Sequence, residues 1–502
     1  MTRETNQMNP EAPPAVPLRH LIDGAWQEGT SAPLVSENPT RPEEQVAHGL
    51  QATVEDVDRA MAAASTATRD WARTPMHERG AVLLRAAQVL ERSADELGLE
   101  LAREEGKTLA EATGEVLRAA QIMRYYGGAG DRVAGEVFSS PRRGERILVT
   151  RKPLGVVGVV TPFNFPIAIP AWKIAPALVY GNTVVWKPAS TVPLLAVRLA
   201  ESLQEAGLPR GVLNLVIGRG SLGTAIVEHP RLDGLTFTGS TGVGRQLAAA
   251  AAARGVPMQA EMGGKNASIV LADADLDLAS EQVMLGAFRS TGQKCTATSR
   301  LIVEDAVAGE FIDRLRARID GWTVGDPTDT RVHMGPLVSE SAADDVRQGV
   351  HTALGEGATL LHQGAGPSNG SAPGCFVPPT VLQLPADRNA AATNTAWRDE
   401  FFGPILTVAR ASGPQDAFAL ANDSDFGLSA AVFTQDVTRV LDAVDEIDVG
   451  ILHVNSESAG ADPHVPFGGA KKSGYGPKEQ GGAAQEFFTH TTTVYLRGGS
   501  PA

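Results

Sequence analysis

Cysteine is scarce in this chain: 502 residues contain two, Cys295 and Cys375. Two thiols in unlike surroundings make no disulfide framework, and no Cys/His cluster has zinc spacing, so no metal site is expected. Positive charge is in deficit as well, with 44 Lys and Arg against 58 Asp and Glu and a net charge of −14. A nucleic acid or an anionic membrane wants a basic footprint, which argues against both as partners. Long apolar runs are missing: the stretch 166–180 is broken by Pro170, Lys173 and Pro176 and cannot span a bilayer. The first twenty residues lack an apolar core segment, so no signal peptide is expected. There is no repeat of fixed period and no G-x-S-x-G elbow of a serine hydrolase. What remains is ordinary globular composition, 43% apolar and 20% charged, at a length that suits two or three domains. The expectation is a cytoplasmic enzyme of a reducing compartment.

Taken in order, residues 1–17 are Pro-rich without apolar periodicity and are expected to form a flexible arm. Residues 21–26 carry a strand-turn signal, and 53–133 repeat apolar residues at helical spacing, with a capped start at Thr53. After a strand-like alternation at 146–152, buried strands and helices alternate: 156–160, 169–180, 182–186, 192–205, 212–217, 224–229, 234–238 and 243–253. That pattern predicts an α/β fold with a mostly parallel sheet covered on both faces. The alternation resumes at 258–271 and continues more loosely through 304–440. Residues 364–374 read as a surface loop with Cys375 at its end, a weak place for chemistry. The last strand signal, 491–496, has no following helix and is expected to pair with an edge elsewhere.

Several short stretches are suited to chemistry, and each has a plainer reading. Gly218-Arg-Gly-Ser-Leu-Gly223 matches a dinucleotide fingerprint after a strand, but the acidic residue expected about twenty positions on is missing. Gly239-Ser-Thr-Gly-Val-Gly244 also joins a strand to a helix, where free N–H groups suit a pyrophosphate and Ser240 offers a hydroxyl. Either is equally an ordinary tight turn. Lys187-Pro-Ala-Ser190 ends a buried strand, where open α/β sheets bind ligands, or is a solvated loop. Glu261, between Ala260 and Met262-Gly-Gly264, is a general base made basic by apolar surroundings, or a paired glutamate. Asn164, between Phe163 and Phe165, donates to a developing oxyanion or forms a turn. Cys295 follows Gly292 and Lys294; it is a nucleophile whose thiolate that cation favours, or a small buried apolar residue.

Together the motifs Thr161-Pro-Phe-Asn-Phe-Pro166, Lys187-Pro188, Phe237-Thr-Gly-Ser-Thr-Gly242, Glu261-Met-Gly-Gly-Lys265, Gly292-Gln-Lys-Cys295, Glu400-Phe-Phe-Gly-Pro404 and Pro466-Phe-Gly-Gly469 resemble the aldehyde dehydrogenase superfamily, over roughly 21–496. The resemblance implies two open α/β domains and a small β flap for oligomerisation. The dinucleotide-binding domain is expected at 18–137 and 156–263, the thiol domain at 264–465, and the flap at 138–155 and 482–498. Homodimers or homotetramers follow, with the flap extending a neighbouring subunit's sheet. The resemblance makes Cys295 the nucleophile, Asn164 with the Cys295 N–H the oxyanion donors, Glu261 the base that activates water, and Lys173 a nearby lysine of less defined role. The cofactor side would comprise Thr161, Phe163, Lys187, Ser190, Gly239, Ser240, Glu400 and Phe402, and the Gly218 fingerprint would be a partial decoy. NAD-preferring members often place Glu three residues after the first lysine; here Ser190 stands there, so NADP is expected, with NAD as the alternative. On the substrate side the resemblance points to Arg289, Trp172 and Phe467. Arg289 matches a carboxylate-binding arginine of succinate-semialdehyde dehydrogenases, whose second arginine is replaced by Trp172. The residues around Cys295 are more similar to 2-oxoglutarate-semialdehyde dehydrogenases. The alternatives are an uncharged aliphatic or aromatic aldehyde, and a CoA-acylating enzyme, against which Glu261 argues.

Overall fold

A computed structural model describes residues 13–367 and 374–499 of the chain. The first twelve residues of the expected arm and the middle of the 364–374 loop lie outside the described residues.

The first sheet has eight strands in the order Gly474–Tyr475, Met258–Glu261, Gly234–Thr238, Val156–Val160, Thr183–Lys187, Leu213–Leu215, His20–Ile22 and Ala25–Gln27. The five from Met258–Glu261 to Leu213–Leu215 are parallel. All five are buried along their whole length, the longest being Val156–Val160, Thr183–Lys187 and Gly234–Thr238. That is why they read as continuous apolar runs and not as alternation. The parallel part starts at the central strand Val156–Val160, winds one way through Thr183–Lys187 and Leu213–Leu215, then returns to Gly234–Thr238 on the other side. The direction of winding reverses between Val156–Val160 and Gly234–Thr238. A crevice opens at the carboxyl ends of strands where that happens.

Four helices, Val54–Arg73, Met76–Arg92, Ala94–Glu105 and Leu109–Gly127, fill the span read as helical. The first is held at its start by a reciprocal cap: Asp56 N–H donates to Thr53 Oγ1, and Thr53 N–H donates to the Asp56 carboxylate at 2.8 Å. Such a cap contributes about 1 kcal/mol. The Leu109–Gly127 helix has the same device in Thr108 and Glu111.

The second sheet has seven strands: Thr359–Gln363, Thr380–Gln383, Ile405–Ala411, Thr298–Glu304, Asn266–Val270, Ser429–Phe433 and Ile451–Val454, parallel except for the first. A third, antiparallel sheet joins Gly135–Ser139, Glu145–Pro153 and Thr489–Arg497. The last strand runs against Glu145–Pro153 in unbroken register from Thr489 opposite Pro153 to Arg497 opposite Glu145.

Two expected boundaries need correction. Val16–Pro17 is not part of a free arm but a short strand parallel to Arg41–Leu50. The strand pair expected from 138 begins at Gly135, and the part of the expected segment 482–498 before Thr489 is the helix Gly481–Phe488. Phe487 and Phe488 of that helix are buried in the apolar core beneath the first sheet. Their side chains are removed from water there, which anchors the helix to that sheet and leaves only the strand Thr489–Arg497 to the third sheet.

Candidate active site

Cys295 lies in the loop between the helix Leu276–Phe288 and the strand Thr298–Glu304. The approach is tight, because Ser290, Thr291 and Gly292 are all left-handed, with φ of 52°, 53° and 68°. For the two residues with a Cβ this costs about 1–2 kcal/mol each, and surrounding bonds must impose it. They do. The Ser290 N–H and Oγ donate to Glu111 Oε1 at 2.8 and 3.2 Å, and Thr291 Oγ1 donates to the Gly335 carbonyl at 3.1 Å. Beyond the thiol, Asn266 Nδ2 donates to the Cys295 carbonyl at 2.7 Å.

The thiol sits where two cavities meet. One, of about 770 Å³, opens at the reversal point of the first sheet. Thr161, Lys187, Gly239 and Met262, at or just past strand ends, form one wall; Gln293, Cys295 and Glu400–Phe402 form the other. The second, of about 370 Å³, reaches Cys295 from the opposite side between the helix Leu109–Gly127 and residues 457–467. Cys295 lines both.

Asn164 lines the larger cavity and is 3% exposed. Its Nδ2 donates to the Gln293 carbonyl at 2.8 Å, two residues before the thiol. A primary amide has two N–H donors, so one remains free. Glu261 and Lys173 line neither cavity. The Glu261 carboxylate accepts from the Gly469 N–H at 3.2 Å, at the end of the strand Met258–Glu261. Lys173 Nζ bonds the Glu479 carboxylate, Thr236 Oγ1 at 3.0 Å and the Phe237 carbonyl at 3.1 Å.

Burial governs the charges here. It raises Glu261 well above the usual carboxylate range, and the nearby Glu479 adds to the rise. Burial lowers Lys173, against the pull of Glu479. The Cys295 thiol is pushed up to about 12 by burial, then by the Glu400 and Glu261 carboxylates, while the Thr296 and Cys295 N–H groups favour the thiolate. The expectation that Lys294 stabilises the thiolate is therefore corrected. Its ammonium points to Glu457 at 3.5 Å, and burial lowers its own pKa.

The larger cavity fits an anionic dinucleotide. Lys187 is buried, faces no carboxylate among the described residues, and is lowered to about 8 by burial alone. The helix Thr241–Ala253 opens at Ser240, whose side chain makes no capping bond, and the Thr238 and Thr241 hydroxyls have no partner among the described residues. A Cβ at Gly239 would meet the Phe237 ring at 2.6 Å, so the backbone there approaches as only glycine allows. Ser190 lines the same cavity. Trp186 Nε1 donates to Thr161 Oγ1 at 2.9 Å, and Phe163 meets Phe402 edge-on with ring centres 5.7 Å apart. Glu400 accepts from the Gly264 N–H at 2.9 Å and is raised to about 7 by burial. The Gly218 fingerprint follows Leu213–Leu215, two strands from the reversal point, and only its Gly220 and Gly223 touch the cavity rim.

Arg289, Trp172 and Phe467 all line the smaller cavity, with the two rings 5.4 Å apart. Arg289 is half-exposed and already paired, with Glu457 at 3.4 Å and Glu111 at 3.6 Å. Sequence reasoning missed four participants. Arg118 is a second guanidinium lining the same cavity, and Glu111 holds the thiol loop. Asn266 fixes the Cys295 carbonyl, and Glu479 pairs with Lys173. Arg118 falls seven residues after Glu111, on one helix face, and that periodicity was the available signal. The other contacts are long-range and leave none.

A family model described as "Aldehyde dehydrogenase family" matches residues 26–494. An alpha-ketoglutaric semialdehyde dehydrogenase of Bacillus subtilis (strain 168) is 43% identical over 481 residues, covering 95% of this chain and 98% of its own. A 2,5-dioxopentanoate dehydrogenase of Saccharolobus solfataricus is 37% identical, covering 94% of this chain and 97% of its own. Among solved structures, the NAD-dependent aldehyde dehydrogenase of Sinorhizobium meliloti superposes with a TM-score of 0.92 at 33% identity, covering 97% of this chain and 96% of its own.

Proposed function

The chain belongs to the aldehyde dehydrogenase family and oxidises an aldehyde to the acid with NAD(P), and we propose that its substrate is a semialdehyde carrying a carboxylate at its far end. The observation that carries this reading is the thiol at the junction of two cavities, a cofactor-sized one and a smaller one holding Arg289. Relatives named for alpha-ketoglutaric semialdehyde and 2,5-dioxopentanoate support it. The guanidinium would clamp the substrate carboxylate as a fork, exchanging its ties to Glu457 and Glu111 for the ligand.

The Cys295 thiolate attacks the aldehyde carbon, and the C=O pair of electrons moves onto oxygen. The free N–H of Asn164 and the Cys295 backbone N–H stabilise that oxyanion where its charge develops. The dinucleotide, when bound, supplies the hydride acceptor. Lys187, Ser240 and the turn at Gly239 would hold its ribose and phosphates, and Glu400, with Phe402 beside it, the nicotinamide end. The acyl group is left on sulfur as a thioester. Glu261, made basic by burial, takes a proton from water, which displaces the thiolate and releases the acid. Glu261 must turn out of its contact with Gly469 to do so. Lys173 and Glu479 would hold the charge behind it.

Ser190 supports NADP over NAD, since a 2′-phosphate meets Lys187 without a repelling carboxylate. The exposed apolar residues Val137, Phe138, Tyr495 and Leu496 on the third sheet support burial against another copy, as a homodimer or homotetramer. Among the described residues no helix is long and apolar enough to cross a membrane, and a cytoplasmic location accords with that. The test is a panel of charged and uncharged aldehydes of equal length, each with NAD and NADP, on the native enzyme and on Arg289→Leu. The substitution is expected to raise KM for semialdehydes about 10- to 100-fold more than for uncharged aldehydes. Equal effects would remove the clamp.

A further inference from the structure

The helix Leu109–Gly127 forms one wall of the smaller cavity and touches both halves of the reacting centre. Glu111 and Glu115 stand one turn apart on one face. Glu111 Oε2 accepts from the Thr108 N–H and hydroxyl at 3.2 and 2.9 Å, within its own cap, while Oε1 reaches the N–H of Ser290 in the thiol loop. Glu115 turns the other way. Its Oε1 accepts from the Ile167 and Ala168 N–H groups, both at 3.1 Å, where the helix Ala168–Val179 begins. Its Oε2 accepts from Lys107 Nζ at 2.6 Å, and that ammonium also donates to the Asn164 carbonyl at 2.7 Å. Lys107 and Glu115 are 2% and 4% exposed, so neither bond is exchanged with solvent. Glu105 lies 3.8 Å from the same ammonium, and Phe165 packs its ring 4.3 Å away. Burial disfavours the Lys107 cation, but Glu105 and Glu115 outweigh it and raise its pKa.

We propose that Glu115 and Lys107 are positioning residues for the oxyanion: they fix the backbone of 164–168 so that the Asn164 amide faces the thiol. Glu111, four residues earlier on the same rigid helix, fixes the loop that carries the thiol. One helix thereby sets the distance between nucleophile and oxyanion donor, two groups 131 residues apart in sequence, at positions 164 and 295. The chemistry is sensitive to that distance, since a misplacement of about 1 Å costs on the order of 100-fold in rate. The proposal rests on the oxyanion role given above to Asn164, and the experiment separates the two.

Alkylation by iodoacetamide needs the thiolate but forms no oxyanion: the S–C bond forms as iodide leaves. Aldehyde oxidation needs both. The measurements are the single-turnover burst of reduced cofactor, the second-order alkylation rate of Cys295, and the Kd of NADP, for Glu115→Gln, Lys107→Met and Asn164→Ala. The expected result for Glu115→Gln and Lys107→Met is a burst slowed at least about tenfold, with alkylation and Kd within about twofold of the native values. A burst within twofold of native for Glu115→Gln, while Asn164→Ala slows it, overturns the positioning role alone. An unchanged burst in Asn164→Ala overturns the oxyanion reading and this inference with it. Burst and alkylation slowed by the same factor in Glu115→Gln make Glu115 general scaffold, and also overturn it. Should Glu115→Gln not fold, the double substitution Lys107→Met with Glu115→Leu, which removes the buried pair together, is read by the same outcomes.

Discussion

Gly292 is the position where a single methyl group should uncouple the site without touching any reacting atom. At φ 68° it is the third left-handed residue before the thiol, and a Cβ there would lie 2.3 Å from the Gly403 carbonyl oxygen and 2.9 Å from Pro404 N. Those neighbours are backbone, in the segment that also carries Glu400 and Phe402, so no flexible side chain can yield. Gly292→Ala therefore combines about 1–2 kcal/mol for a left-handed Cβ with about 1–3 kcal/mol for overpacking. Relief requires the thiol loop and the Glu400 segment to part by roughly an ångström, which lowers kcat by about 100-fold. Gly255 provides the control, since it has the same φ of 68° with nothing within 4 Å of a Cβ. Gly255→Ala should show the conformational cost alone, about 1 kcal/mol, with kcat unchanged. The assay is kcat and denaturant midpoint for both variants beside the native enzyme. A Gly292→Ala enzyme with kcat within threefold of native, or one no less stable than Gly255→Ala, refutes the reasoning.

Glu104 is fully buried, bonded at one oxygen to the Leu194 N–H and the Ser36 hydroxyl, without a partner at the other among the described residues, and raised to about 8 by burial. The native state thus keeps a proton that the unfolded chain loses near pH 4.5. Its contribution is complete below that pH and disappears as pH rises through 8. Glu104→Gln should gain stability over the native enzyme between pH 5 and 8, on the order of 3–5 kcal/mol in all, by denaturant titration; a pH-independent difference refutes this. Cys295, raised to about 12, should be alkylated in the cofactor-free enzyme at a rate still rising about tenfold per pH unit up to pH 10. A plateau below pH 9 contradicts that assignment. Ser190→Glu should move the NADP to NAD ratio of kcat/KM toward NAD by at least about tenfold, through repulsion of a 2′-phosphate; an unchanged ratio would show that position 190 does not face the ribose.

The parallel core of the first sheet was legible because each strand is buried on both faces and each turn after it is rich in glycine or proline. Val156–Val160, Thr183–Lys187 and Gly234–Thr238 stand within a residue of their expected places. The ends of the chain were less legible, for a reason that also has physical content. Val16–Pro17 is two residues long, too short to carry a period, and is ordered by the neighbouring strand Arg41–Leu50. Residues 481–488 are rich in glycine and alanine and show no strong apolar stripe before Phe487 and Phe488. Their helix exists because those two rings dock into a core whose buried residues outside the helix run from Leu18 to Ile217.

The residues proposed to react stood out in the sequence for a different reason: each sits in a turn whose composition is dictated by backbone geometry as much as by chemistry. Gly292 permits the approach to Cys295, Gly263 makes room for Glu400, and Gly264 makes room for the Cys295 carbonyl and the Asn266 amide. What supports those turns was hidden, because support comes from charged residues that local periodicity assigns to solvent. Glu104 and Glu105 end an amphipathic helix and Lys107 follows it, in a place where a wet, charged terminus is expected, yet all three are buried. A carboxylate taken out of water survives only if it is bonded or protonated. Lys107 is satisfied by Glu115 and by the Asn164 carbonyl, a residue 57 positions away. A sequence states that such a charge is present; only the fold states that its counterpart is the loop beside the thiol, and that difference separates proposing a nucleophile from accounting for how its surroundings are held.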